Sequence, residues 1–405
     1  MTKGVGGSTP EQEFARMEKM TADVVPIGNE ERMARIAHAQ ALMREQGIAA
    51  LYLDTSVNLS YFTGLNLKAT ERLHGALIPA DGPVVYLSPA FEEPKTRSLL
   101  HFGDDIRVWE EHEDPTALVV ETAAGLVASG TTIAVDPATP FFTFDGMRRA
   151  GNRFDFTNGA SITAACRVVK SPAEIALMQR ANEVSLEVHK AAARILREGI
   201  TTTEVQTFVL EAHRRLGATP PPGTPLVLFG EATAYPHGVS YPQTLAYGDM
   251  VLLDIGGFVG TYRSDMTRTY VFGEPNARQR EIWDLEKKAQ AAGFAAAVIG
   301  APCASVDNAA RGTIAAAGFG PGYKLPGLPH RTGHGIGLEV HEETYMVMGN
   351  MTPLEAGMCF SVEPTICIYG EFGIRLEDCA YMTADGPRWF TEPCANVDDP
   401  FGYDA

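Results

Sequence analysis

The chain has 405 residues, 45% of them hydrophobic, which is enough to fill the cores of two domains. Its net charge of −17, with no basic stripe to offset it, argues against a nucleic-acid or anionic-membrane partner. Six cysteines without a C-x-x-C pair read as reduced thiols of a cytoplasmic protein; no signal peptide is expected from residues 1–10, and no apolar run reaches the roughly eighteen residues of a membrane span.

Residues 1–28 are polar and glycine-containing, with a short helical pattern at 11–20, and suggest a loosely held arm. From 30 to 46 apolar side chains recur at helical spacing and stop at Gly47. A short buried strand follows at 48–54, and N-L-S-Y-F-T-G at 58–64 leads into a turn. Strands at 76–79 and 83–88 flank A-D-G, a hairpin signal. A helix at 91–100, a strand at 106–109, a helix at 115–128 and a strand at 132–135 continue the alternation of a compact α/β domain. Near residue 164 the character changes. A strand end leads into S-P-A-E, where Ser171, Pro172 and Glu174 supply a complete capping box for a long helix. A second helix starts at Thr202 or Thr203, and the proline run 218–225 is a rigid loop. The expected division is 1–165 for an N-terminal domain and 166–405 for a catalytic one.

The stretch 250–273 carries the first chemical signal. An apolar run delivers Asp254, a glycine-rich turn follows, and a second β-favouring run places Asp265 where a hairpin puts both acids on one face. Two buried carboxylates side by side repel unless a cation lies between them. Further along, His334 sits between Gly333 and Gly335, which would let its imidazole approach a ligand closely. A second hairpin over 358–383 ends one strand at Glu363 and carries Glu377 in its partner. Asp254, Asp265, His334, Glu363 and Glu377 together suit two divalent ions such as Mn²⁺, Co²⁺, Fe²⁺ or Zn²⁺. Such a pair activates water for hydrolysis of amides, esters or phosphoesters.

The order D-x-G, S-D-x-T-R, G-H-G-I-G-L-x-V-H-E, S-V-E-P and R-L-E-D resembles the dinuclear metallopeptidases of the pita-bread fold, the group of prolidases, proline-specific aminopeptidases and methionine aminopeptidases. N-L-S-Y-F-T-G and R-V-V-K-S-P-A-E-I resemble the N-terminal domain and domain junction of the prolidases, so the likeness covers the whole chain. Any one of these acids alone reads as an ordinary turn or strand-end residue; together, in this order, they do not. The resemblance implies an N-terminal α/β domain followed by a pita-bread catalytic domain. It also implies hydrolysis of the Xaa–Pro bond in dipeptides or short peptides, with two metal ions (Mn²⁺ foremost) and a homodimer. Aminopeptidase action on longer peptides, or hydrolysis of a non-peptide amide such as creatine or ectoine, are the rival activities.

The same resemblance assigns roles. Asp254 would bind one ion, Asp265 and Glu377 would bridge both, and His334 and Glu363 would hold the second, with Glu363 also accepting a proton. His341 would stabilise the transition state, and His237 would touch substrate. Arg375, two residues before Glu377 on one strand, would orient that glutamate or meet a substrate carboxylate. One position departs from the pattern. Prolidases place an arginine four residues after the position of His341 to clamp the C-terminal carboxylate, and Tyr345 stands there in this chain. Tyrosine donates one hydrogen bond and no charge, so Arg375, His237 or Arg331 would have to supply the cation.

Overall fold

The computed structural model describes residues 2–403 and divides into two compact units. One is Ile27–Arg167; the other joins the stretch up to Pro26 to everything from Val168 onward. The N-terminal segment therefore differs from the loose arm, and from the 1–165 grouping, that the sequence suggests. Its composition is polar, but its polar groups are used. Glu13 is buried and accepts two hydrogen bonds from Arg194, at 2.7 and 3.0 Å. Phe14 stacks on Phe208 with centroids 4.8 Å apart, and the Thr2 amide donates to the Gly273 carbonyl.

In the Ile27–Arg167 unit the strands are β1 (Ile48–Asp54), β2 (Gly75–Pro79), β3 (Val85–Pro89), β4 (Ile106–Trp109), β5 (Thr132–Val135) and β6 (Asp155–Asn158). They form one mixed sheet in the order β4-β3-β2-β1-β5-β6. β1 is antiparallel to β2 and parallel to β5; the helix Asn29–Gln46 leads into β1, and Pro115–Leu126 and Phe141–Ala150 connect β4 to β5 and β5 to β6. The core of Tyr52, Leu77, Leu87, Val119, Ile133 and Met147 is almost fully buried. The 58–64 stretch is a helix, Val57–Thr63, rather than a turn approach. Ser56 caps it by accepting from the Asn58 and Leu59 amides, and Gly64 ends it at φ 77°. Seven residues are too few for a periodicity to show.

The second unit opens with the helix Pro172–Arg194, capped by Ser171 and Glu174 as expected. The segment before it is helical to Val168 rather than a strand end. The next helix, Thr202–Leu216, is capped by Thr201, one residue earlier than expected, because Glu204 closes a capping box with it. Its strands are β7 (Leu226–Phe229), β8 (Met250–Ile255), β9 (Phe258–Val259), β10 (Tyr262–Arg263), β11 (Met266–Val271), β12 (Gly333–Gly335), β13 (Glu342–Met346), β14 (Cys359–Val362), β15 (Thr365–Ile368), β16 (Phe372–Arg375), β17 (Asp378–Thr383) and β18 (Gly386–Trp389). A three-stranded sheet runs β11-β8-β7 and a five-stranded sheet β13-β12-β14-β17-β18. β8 and β11 make the expected hairpin, and β9–β10 is a small ribbon in its turn. The second hairpin pairs β14 with β17, and a separate ribbon, β15–β16, is inserted between them. A single bridge between Thr267 and Glu377 ties β11 to the start of β17. The helix Ala277–Ala295 covers this seam, with Trp283 buried and its indole N–H on the Thr269 carbonyl at 2.8 Å. This is the pita-bread arrangement of sheet edges meeting under helices.

Candidate metal centre

Register explains why the acids converge. Asp254 on β8 lies directly opposite Thr267 on β11, so the two point to one face. Asp265 is two residues before Thr267 and shares that face. The Thr267–Glu377 bridge then brings the second hairpin's glutamate to the same place, with the Thr267 hydroxyl donating to Glu377 Oε2 at 2.6 Å. From the other sheet, His334 Nε2 lies 3.0 Å from Glu363 Oε1 and 3.6 Å from Asp265 Oδ2.

His334 reaches the cluster because its flanking glycines admit close strands. A Cβ on Gly333 would sit 2.0 Å from the Ser361 carbonyl oxygen, and one on Gly335 would sit 2.1 Å from that of Glu343. The glycines thus serve backbone packing between β13, β12 and β14, where the sequence suggests access for a ligand. The imidazole is then fixed by Nδ1 against the Gly335 carbonyl at 3.0 Å, which leaves Nε2 for the acids.

Asp254, Asp265, His334, Glu363 and Glu377 all line one cavity of about 520 Å³, together with His237, His330, Arg331, Val340, His341 and Arg375. A volume of roughly 300–1,000 Å³ is usual for a small-molecule site. Ligand atoms of Asp265, His334 and Glu377 fall within 4.8 Å of one another. The electrostatics suit a cation. Burial, then the neighbouring carboxylates Asp254 and Glu363, push Asp265 well above the usual carboxylate range. Burial, then Asp265 and Glu363, do the same to Glu377. Glu377 Oε1 is buried without a hydrogen-bond partner, an acceptor that the protein itself leaves unsatisfied. Burial also opposes the charge on Glu363, but its contact with His334 wins and holds it at about 2. The same contact overrides burial at His334 and lifts it to about 9. A donor set of four carboxylates and one imidazole, with one oxygen unclaimed, fits hard or borderline divalent ions.

The remaining expected residues separate. Arg375 is buried, and each of its nitrogens already donates within the protein: to Asp254 Oδ2 at 2.6 Å, to the Thr267 hydroxyl at 3.0 Å and to the Pro236 carbonyl at 3.2 Å. It orients Asp254 directly, and Glu377 only through Thr267; a substrate carboxylate would have to compete with these partners. Tyr345 does not line the cavity. Its ring lies beneath the Arg331 guanidinium, 4.2 Å from the centroid, and it is Arg331 that faces the cavity. His341 lines the cavity and packs edge-on to His334 with centroids 4.3 Å apart; partial desolvation there, then His334 and Arg331, hold it down to about 4. His237 is exposed at the rim.

Three contributors escape the sequence reading. Thr267 and Ser361 stand within the motifs only as spacing; their hydroxyls position Glu377 and Glu363 respectively, the latter at 3.2 Å. His330 lines the cavity and is pinned by the Arg331 carbonyl and the Thr365 hydroxyl. Its one signal was closeness to the His334 motif.

Comparison with known proteins agrees with this geometry. Residues 176–384 match the model of metallopeptidase family M24, and residues 35–169 match the creatinase/prolidase N-terminal domain. An uncharacterized peptidase of Schizosaccharomyces pombe is 32% identical over 92% of this chain and 84% of its own length. The crystal structure of dipeptidase PepE from Mycobacterium ulcerans superposes with a TM-score of 0.83 at 31% identity, covering 91% of this chain and 97% of that one. Recombinant prolidase from Thermococcus sibiricus gives 0.82 at 27%, covering 89% and 96%.

Proposed function

Because the chain belongs to metallopeptidase family M24, we propose that it hydrolyses the Xaa–Pro bond of dipeptides, with Asp254, Asp265, His334, Glu363 and Glu377 holding two divalent ions. One observation carries the reading: four acids and a histidine share one cavity, and a buried Glu377 oxygen there has no partner in the protein. The dipeptidase and prolidase identities of the similar structures support the substrate class. They favour it over aminopeptidase action on longer peptides or hydrolysis of a creatine-like amide. When bound, the ions would polarise the scissile carbonyl and make water nucleophilic at neutral pH.

The chain's own residues then have distinct tasks. Asp265 and Glu377 would help hold both ions, and Asp254 is aimed by Arg375. Glu363 takes the proton of the attacking water and returns it to the leaving proline nitrogen. His341 is neutral near pH 7, because its pKa lies near 4, and so offers an imidazole N–H to the carbonyl oxygen as negative charge develops. His237 contacts substrate at the rim. Mn²⁺ is the proposed native metal. Six unpaired cysteines support a reducing, cytoplasmic setting, and the homodimer rests on family resemblance.

A panel of Ala-Pro, Leu-Pro, Ala-Pro-Ala and creatine, with Mn²⁺ or Co²⁺ added to purified protein, tests the proposal. Dipeptides should be cleaved best. Preferred cleavage of Ala-Pro-Ala would make the chain an aminopeptidase, and creatine turnover alone would place it outside the peptidases.

A further inference from the structure

We infer that Arg331, seated on the Tyr345 ring, is the anchor for the C-terminal carboxylate of the peptide substrate. The inference rests on the dipeptidase reading and adds what selects a dipeptide. A dipeptide carries its carboxylate one residue from the scissile bond, so the charge enters the cavity with the reacting atoms. Buried there unpaired, a carboxylate would cost several kcal/mol, and a cation must meet it.

The cavity is lined by two guanidinium groups, Arg331 and Arg375. Arg375 is committed to Asp254, Thr267 and Pro236 through all three nitrogens. Arg331 is the opposite case. Among the described residues no carboxylate, carbonyl or hydroxyl accepts from its guanidinium, and its one recorded partner is the Tyr345 face. A half-buried arginine whose donors are unspent and whose plane is held by an aromatic ring is prepared for a carboxylate fork.

The backbone allows the seat. The Thr332 amide donates to the Met346 carbonyl at 3.1 Å where β12 meets the antiparallel β13, which brings the strand carrying Tyr345 alongside the segment carrying Arg331. Arg331 and His341 line the same cavity, which puts the cation in one space with the residue proposed to face the scissile carbonyl. Charge and ring thus come from two residues. Tyr345 is a positioning residue that stiffens Arg331, and its hydroxyl is not the anchor.

The test compares kcat/KM for Ala-Pro and Ala-Pro-amide in metal-loaded wild type and variants, alongside competition by proline and prolinamide in the wild type. The wild type should prefer the free carboxylate, and prolinamide should compete at least about tenfold more weakly than proline. Arg331→Gln should cut the Ala-Pro over Ala-Pro-amide ratio by about tenfold to a hundredfold, mainly through KM. Tyr345→Leu should cut it about threefold by freeing the guanidinium, while Tyr345→Phe, which keeps the ring, should hold the wild-type ratio. An unchanged ratio in Arg331→Gln, equal competition by proline and prolinamide, or a Tyr345→Phe loss as large as that of Arg331→Gln overturns the inference and leaves the peptidase reading standing. A wild type that cleaves no Xaa–Pro peptide overturns the reading beneath it.

Discussion

The two compact units both bury acidic side chains, and the second, which pairs some as fully as the first does, leaves others open. In the Ile27–Arg167 unit Asp136 is 2% exposed and fully answered. It accepts from the Ser56 hydroxyl at 2.5 Å, the Asn58 amide nitrogen at 2.8 Å and the Ala138 backbone at 3.0 Å. Asn58 in turn accepts from Arg167 at 2.8 Å. In the second unit Asp378 is answered as completely, by Arg268 at 2.6 Å and Gln290 at 2.9 Å. Its chain neighbour Glu377 is not: one oxygen meets Thr267 and the other meets nothing. A closed network stabilises a fold, whereas an open one of like charges destabilises it until a ligand arrives. At the cavity, the difference separates Asp378, spent on structure, from Glu377, which keeps an oxygen for a ligand.

The largest expected effect follows from removing an open acid. Asp265→Ala or Glu377→Ala should lose both ions and lower Ala-Pro hydrolysis to background, as metal analysis and an initial-rate assay would show. Retention of both ions in either variant contradicts the assignment of that acid to both ions. His341→Ala should lower kcat by about 10²–10³ with metal content intact, since this histidine lies beside the cluster but outside its ligand set. Loss of metal in that variant would make His341 a ligand.

Stability gives the next contrast. Asp136→Ala should cost about 2–4 kcal/mol by denaturant unfolding, because it strands several buried donors. Glu377→Gln in metal-free protein should instead stabilise by about 1–2 kcal/mol, because it removes one of several mutually repelling carboxylates while keeping an acceptor for Thr267. Destabilisation by both substitutions would erase the distinction between closed and open acids.

The smallest effect is one of pH in the first unit. Burial holds His74 neutral down to about 4, with Nε2 and the Thr96 hydroxyl 2.8 Å apart. The unfolded chain takes up a proton as pH falls through the usual imidazole range near 6.5, while the folded chain does so near 4. Stability from this group is therefore complete above that window and declines as pH falls through it. Between pH 7.5 and 4.5, His74→Gln should lose less stability than wild type by on the order of 1–3 kcal/mol. Equal losses would show that His74 is not held neutral.

Much of this was legible in the sequence, and the misses have physical causes. The four clustered acids stand out because their spacing on two hairpins is local, and His334 because glycines flank it. The long helices show because Ser171 with Glu174 and the αL Gly47 mark their ends. The helix Val57–Thr63 was too short to show a period. The N-terminal segment looked loose because its anchor for Glu13 is Arg194, 181 residues away. Arg375 looked free for substrate because its partner Asp254 is 121 residues distant, and only the sheet register joins them. Tyr345 departs from the family pattern without a charge of its own, and the guanidinium packed on its ring belongs to Arg331, just before β12. The misses at Glu13 and Arg375 involve polar partners remote in sequence, which composition and periodicity do not encode.

The central claim is that the open acid cluster is a catalytic two-metal site. The most direct test strips the protein with a chelator, titrates Mn²⁺ back, and follows bound metal per chain and Ala-Pro hydrolysis in the same samples. The account predicts an inactive metal-free chain, recovery that tracks filling to about two ions per chain, and a higher Tm on loading. Full hydrolysis by protein carrying no metal would contradict it.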